Sequence, residues 1–175
     1  PICAEPLPTL GTAPEFSLTT QDEHPLSLRD LRGKVVALTF IFTRCQDTCP
    51  VLTAKLVGVQ RTLATESNAP VHFVAISITP KHDTPHVLKR YALAHGADLS
   101  RWAFLTGDAK QIAQLTTQFG VYAKPKQDAD DVDHSFLTSI IDRKGMIRVQ
   151  YMGVRFKPEE FIADLQSLVR EGTTP

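Results

Sequence analysis

Two runs rich in β-branched and aromatic residues, VVALTFIF at 35–42 and VHFVAISI at 71–78, constrain this chain more than any other feature. Neither shows the strict apolar–polar alternation of a half-exposed strand, so each reads as a strand buried on both faces. Between them, PVLTAKLVGVQRTLA sets Val51, Leu52, Leu56, Val59 and Leu63 near one helical face, with Pro50 suited to the first turn. A strand, a helix and a second strand of this kind form a βαβ unit, and 35–42 is the expected central parallel strand.

The remaining segments extend that unit. EFSLTTQDEHPLSLRDLRGK reads as a short hairpin, with Phe16 and Leu18, then Leu26 and Leu28, alternating onto one side. HDTPHVLKRYALAHG is a helix capped by Asp83 or Thr84, with Pro85 in its first turn and Gly96 at its end. WAFLTG is a short strand, and Asp108 caps a helix that runs through Phe119 and stops at Gly120. Residues 123–133 are polar, aspartate-rich and without periodicity, which predicts an exposed loop; loops of that length inside compact domains often carry function. FLTSIID and MIRVQYM form a hairpin across Arg143-Lys144-Gly145, and KPEEFIADLQSLV closes the chain as an amphipathic helix with Phe161, Leu165, Leu168 and Val169 inward. The βαβ unit followed by a terminal ββα unit predicts an α/β, thioredoxin-like fold. Its expected parts are a central mixed sheet, an N-terminal β-hairpin and an inserted helix and strand. Residues 1–14, with four prolines, are expected to be an extended arm or linker, 15–170 a single domain, and 171–175 a tail.

Composition narrows the chemistry. Lysine plus arginine equals aspartate plus glutamate at 19 each, and no block of like charge gives a nucleic acid or an anionic membrane an electrostatic foothold. Three cysteines are an awkward number for a disulfide scaffold. Cys45 and Cys49 pair naturally, whereas Cys3 follows Ile2, not the small residue that lipid processing favours, and reads as incidental. The start at Pro1 suggests a processed product whose signal or anchor lies upstream.

The cysteines fall in FIFTRCQDTCP, between the end of the central strand and the start of the next helix. In open α/β sheets ligands gather at that edge, and the unpaired amides of a helix N-terminus favour anions, so thiolate is expected there, with Arg44 adding to it. Positions i and i+4 on a helix have Cβ atoms about 5–6 Å apart, which suits one soft metal ion bridging two sulfurs. A disulfide prefers about 3.8 Å and would need local adjustment. The longer CxxxC spacing also argues against an ordinary CxxC oxidoreductase, and a bridge around so short a loop would add little stability. Two thiolates need a third ligand. His134, in VDHSF after the polar loop, leads, while His82 and His86 flank a helix start where capping and exposure explain them. His24, His72 and His95 fit surface or hairpin positions.

FTRCQDTCP, SITPKHDTPHVLKRYA, FGVYAK and VDHSF followed by IIDRKG together resemble the Sco/SenC family of copper-binding assembly proteins, over about 14–169. The resemblance implies copper ligands at Cys45, Cys49 and His134. It implies a role in supplying copper, or reducing power, to the dinuclear copper centre of a respiratory cytochrome c oxidase, with an upstream copper donor and a copper-accepting oxidase subunit as partners. It also implies a membrane-anchored protein facing the bacterial periplasm or, alternatively, the mitochondrial intermembrane space, here expected to be a monomer. Two positions depart from the family: Gln46 stands where proline often follows the first cysteine, and Thr79 where an aspartate usually precedes the proline of DPxxDTP. Soft thiolates suit Cu(I), and imidazole with a further oxygen ligand would also admit Cu(II). A metallochaperone is the leading reading rather than an enzyme. The rival is a thiol:disulfide oxidoreductase that reduces a partner's copper-binding cysteines through Cys45 and Cys49. A thiol peroxidase is a third alternative, and zinc fits less well because no fourth protein ligand is in view.

Overall fold

The computed structural model describes residues 6–65, 70–125 and 132–171. In chain order the first elements are β1 (Gly11–Thr12), β2 (Ser17–Thr20), β3 (Pro25–Ser27), a 3-10 turn at Leu28–Leu31, β4 (Val35–Ile41), α1 (Thr48–Ala64) and β5 (Val71–Ser77). They are followed by α2 (Pro85–Ala94), β6 (Trp102–Thr106), α3 (Ala109–Phe119), β7 (Ala123–Pro125), β8 (Val132–His134), β9 (Leu137–Ile141), β10 (Met146–Met152) and α4 (Pro158–Glu171).

The main sheet has the order β1-β10-β9-β4-β5-β6-β2-β3. β4 pairs in parallel with β5 and antiparallel with β9, and all of its residues are buried, which is why its sequence never alternates. Val35, Ala37 and Ile41 join one core cluster with residues of α1, α2 and α4; Val36, Leu38 and Phe40 join another with α3 and the β2–β3 hairpin. Each fully buried Leu, Val or Phe in these layers contributes roughly 1.5–3 kcal/mol of apolar burial. The units β4–α1–β5 and β9–β10–α4 share the sheet, with α2, β6 and α3 inserted between them. This is the thioredoxin-like α/β fold that the sequence pattern implies.

Local chemistry sets the helix ends. Thr84 accepts a hydrogen bond from the Val87 amide, and Pro85 fills the first helical position of α2. Asp108 accepts from the amides of Lys110 and Gln111, and Gly120 ends α3 at φ +79°, a backbone state that glycine adopts without strain.

Four expectations change. The polar stretch 123–133 is not simply a loop, because its two ends pair as the antiparallel ribbon β7–β8; residues 126–131 lie outside the described residues, as do Cys3 and 172–175. Val51 does not share the buried face of α1: it is 52% exposed, while Leu52, Leu56, Val59 and Leu63 are buried. A position one residue from Leu52 lies about 100° around the helix, so both cannot face the core equally. Residues 6–14 of the arm lie along the sheet, where β1 pairs with β10 and Ala13 is buried. His72 is half-buried within β5 opposite Val36, not on a solvated surface; burial, with Lys34 nearby, holds its pKa down to about 4. Among the described residues no helix is long and apolar enough to cross a membrane.

Candidate metal centre

The two cysteines lie where β4 hands over to α1. After Ile41 the chain turns at Phe42, and the Cys45 amide donates to the Phe42 carbonyl at 3.2 Å. Asp47 occupies the N-cap position of α1 but makes no capping hydrogen bond with its side chain. The Cys45 sulfur does that work, accepting the amide of Cys49, the second helical residue, at 3.3 Å. Cys45 is half-exposed and packs at the margin of the core, whereas Cys49 is 0% exposed and belongs to it. Arg44 is exposed beside them.

His134 reaches this place through sheet topology. β9 runs antiparallel to β4, with Thr39 opposite Thr138, so the residues entering β9 come alongside those leaving β4. The β7–β8 ribbon sets His134 opposite Ala123, and the pairing continues one step further, with Ser135 donating its amide to the Tyr122 carbonyl and the Ser135 hydroxyl accepting the Tyr122 amide. The ring of His134 is 7% exposed and stands between Phe42 and Phe136, with centroid distances of 5.4 and 4.3 Å. Its Nδ1 is 3.0 Å from the Ser135 carbonyl, which can only accept, so Nδ1 carries the proton. The lone pair of the neutral ring is then on Nε2, which lies 3.8 Å from the Cys49 sulfur.

The structure therefore brings Cys49 and His134 together and places Cys45 against the Cys49 backbone. Among the described residues no three His, Cys, Asp or Glu side chains already enclose a common metal position. His86 lies elsewhere, lining a cavity of about 340 Å³ with Gln21, Asp22 and Lys89. His82 is exposed in the turn after β5. The expectation of an acidified Cys49 thiol is overturned: burial pushes it well above the usual thiol range, with Cys45 and Asp83 adding to the rise against a backbone hydrogen bond at Phe42. Desolvation of the charged form outweighs the helix terminus at this depth. The helix amide of Cys49 is accepted by the half-exposed Cys45 sulfur.

In the sequence Asp83 stands as a possible helix cap and as the aspartate of the HDTP motif. In the structure it is 0% exposed and accepts hydrogen bonds from Thr43, Ser77 and Thr79. Thr84, one residue later, is the cap. No sequence motif signals a further buried pair: the hydroxyls of Thr53, one turn beyond Cys49, and Tyr91 lie 2.9 Å apart.

Residues 5–170 match the SCO1/SenC family. The chain belongs to the SCO1/SenC family. It is 31% identical over 155 residues to the SCO1 protein homolog of Bacillus subtilis, covering 87% of this chain and 80% of that one. It is 36% identical over 146 residues to the mitochondrial SCO2 homolog of Bos taurus, covering 81% of this chain and 54% of that longer protein. Among solved structures, it superimposes on BsSco, a member of the Sco family of cytochrome c oxidase assembly proteins in which a disulfide switch was identified. That match has a TM-score of 0.84 and 29% identity, covering 95% and 99% of the two chains. Copper-bound ScoI of Bradyrhizobium japonicum matches with a TM-score of 0.77 and 31% identity, covering 90% of this chain and 99% of the other.

Proposed function

We propose that this SCO1/SenC protein binds copper through Cys45, Cys49 and His134. In this reading it hands the ion to the dinuclear copper centre of a respiratory cytochrome c oxidase, on the periplasmic side of a bacterial membrane. The observation that carries it is the Cys49 sulfur facing the Nε2 lone pair of His134 at 3.8 Å, with the ring's proton held by the Ser135 carbonyl. Thiolate and imidazole are the donors that copper prefers, and a backbone acceptor on the far nitrogen is how proteins orient a ligating histidine. Support also comes from the relatives: copper is bound in a related ScoI, and BsSco belongs to a family that assembles cytochrome c oxidase. Cys45 is the remaining donor, and its half-exposure suits an ion that must be passed on, because an acceptor's thiols can replace an accessible ligand first.

The second reading, a thiol:disulfide oxidoreductase acting on a partner's copper-binding cysteines, draws on a different observation. One half-exposed sulfur at a helix N-terminus, next to one buried sulfur, is the asymmetry of an attacking and a resolving thiol. Copper titration of the reduced protein separates the two. The wild type should take up one copper per chain and show sulfur-to-copper charge-transfer absorption with Cu(II). Cys45→Ala, Cys49→Ala and His134→Ala should each lower affinity by more than the ~10–100-fold that loss of an outer-shell partner costs. Unchanged affinity in all three would refute the copper site. Disulfide exchange that survives His134→Ala, with copper binding absent from the wild type, would favour the oxidoreductase.

A further inference from the structure

Asp83 is not among the candidate ligands, yet its carboxylate is fully buried close to them. Such a group costs several kcal/mol to desolvate unless its lone pairs are taken up. Four hydrogen bonds meet that demand: Oδ2 accepts the Thr43 amide at 3.1 Å, the Ser77 hydroxyl at 2.7 Å and the Thr79 hydroxyl at 3.0 Å, and Oδ1 accepts the Thr43 hydroxyl at 2.5 Å. The donors come from three segments. Thr43 lies between the end of β4 and Cys45, Ser77 is the last residue of β5, and Thr79 opens the turn that leads to α2. The Asp83 amide itself closes that turn by donating to the Thr79 carbonyl at 3.0 Å. A capping residue needs none of this, and Thr84 already caps α2. Together the four bonds clamp the segment leaving β4 to the end of β5 and the turn before α2, two through Thr43 and one each through Ser77 and Thr79.

We infer that Asp83 is a positioning residue: by holding both the backbone and the hydroxyl of Thr43, it sets where Cys45 stands relative to Cys49 and His134. The path is short. Thr43 is two residues before Cys45, and the Cys45 sulfur in turn caps α1 through the Cys49 amide. Thr79 supplies one of the four donors, so the network in this chain is closed by three hydroxyls and one amide. The inference rests on the reading of Cys45 and Cys49 as a working pair, whether for copper or for disulfide exchange.

Asp83→Asn and Asp83→Ala test it together. Asparagine keeps an oxygen for the three donors at Oδ2, and its amide can donate to the Thr43 hydroxyl, which is free to turn. Alanine removes the clamp. Two readouts apply to variants shown to be folded by far-UV circular dichroism: the charge-transfer spectrum after Cu(II) addition, and the Cys45–Cys49 disulfide equilibrium in glutathione buffers. In the second, two thiols give up two protons and two electrons as glutathione disulfide becomes two glutathiones. Asp83→Ala should shift the spectrum and lower the fraction of intramolecular disulfide, with an equilibrium constant about tenfold below wild type, while Asp83→Asn stays within about twofold. A folded Asp83→Ala protein with both readouts unchanged overturns the inference. So does Asp83→Asn failing as badly as Asp83→Ala, since that would make the charge, not the position, the active element. Should Asp83→Ala not fold, Thr43→Val removes the hydroxyl bond alone and should move the disulfide equilibrium the same way by about threefold; no movement overturns the inference. A wild type that binds no copper would defeat the copper reading, but the disulfide arm would still decide the role of Asp83.

Discussion

The unequal burial of the two cysteines can be measured directly by alkylation. In the reduced, copper-free protein, Cys45 is half-exposed while Cys49 is 0% exposed and must be uncovered before a reagent reaches it. Uncovering means opening the first turn of α1, which breaks the bond from the Cys49 amide to the Cys45 sulfur, about 1 kcal/mol, and returns a small apolar side chain to water, about 1 kcal/mol more. A total of about 2 kcal/mol corresponds to roughly 30-fold. Because the thiolate is the nucleophile and burial pushes the Cys49 thiol up, its reluctance to ionise acts in the same direction, so 30-fold is a floor. Iodoacetamide labelling at pH 8, quenched over time and read at each cysteine by peptide mass spectrometry, should show Cys45 modified at least about 30 times faster than Cys49. A Cys45→Ala variant should speed Cys49 by about fivefold, the equivalent of the one lost capping bond. Rates within threefold of each other in the wild type, or Cys49 reacting first, would refute the buried-thiol account and with it the assignment of Cys45 as the sulfur that meets a partner.

Two further predictions concern stability. His72 has a folded pKa near 4 against an ordinary value near 6.5, so the unfolded chain binds the extra proton first. Stability is therefore full above about pH 6.5 and falls as pH drops toward 4, by at most about 3 kcal/mol from this group; urea midpoints of wild type and His72→Gln should diverge across that window, and parallel curves would contradict it. Arg148 occupies a bulge in β10, between Ile147 and Val149, where its side chain, 9% exposed, pairs with Asp142 at 3.1 Å and Glu171 at 2.7 Å and holds the carbonyls of Leu7 and Pro8. Arg148→Met should cost about 2–3 kcal/mol, below the usual range for a broken buried pair because Glu171 keeps access to water, and should make the 6–12 segment more susceptible to proteolysis; a loss under 0.5 kcal/mol in urea unfolding would refute the clasp.

The parts of the fold that could be read from the sequence are those governed by local chemistry or by two-sided burial. The runs at 35–42 and 71–78 are apolar because β4 and β5 have neighbours on both edges and helices on both faces. Thr84, Asp108 and Gly120 signal helix ends through bonds made within a few residues, so no tertiary knowledge is needed. β1 and the β7–β8 ribbon were not legible in the same way. Two or three residues carry no measurable period, and such short strands exist because a partner strand is already in place. His72 misled for a related reason: an imidazole inside an apolar run looks like a surface position until the strand's neighbours are known.

The site divides along the same line. CxxxC spacing and strand-end placement single out Cys45 and Cys49 as candidates, and the VDHSF motif adds His134, but the acidity of the Cys49 thiol is a tertiary property. Helix position alone argues for ionising Cys49; burial reverses that and leaves the half-exposed Cys45 sulfur as the acceptor of the helix amide. The reversal changes how metal and disulfide relate. His134 and Cys49 already face one another inside the core, so Cys45 is the member of the trio that either joins them or closes on Cys49. With copper at the proposed site, the ion and a disulfide would compete for the same half-exposed sulfur, and whatever holds the segment between β4 and Cys45 would bias the outcome. That segment's own anchor is the Asp83 carboxylate, 40 residues away in sequence and bonded to Thr43 at 2.5 Å. Copper loading and disulfide formation should therefore respond together to any change in that anchor, whereas a change confined to His134 should reach copper and leave the dithiol equilibrium nearly untouched.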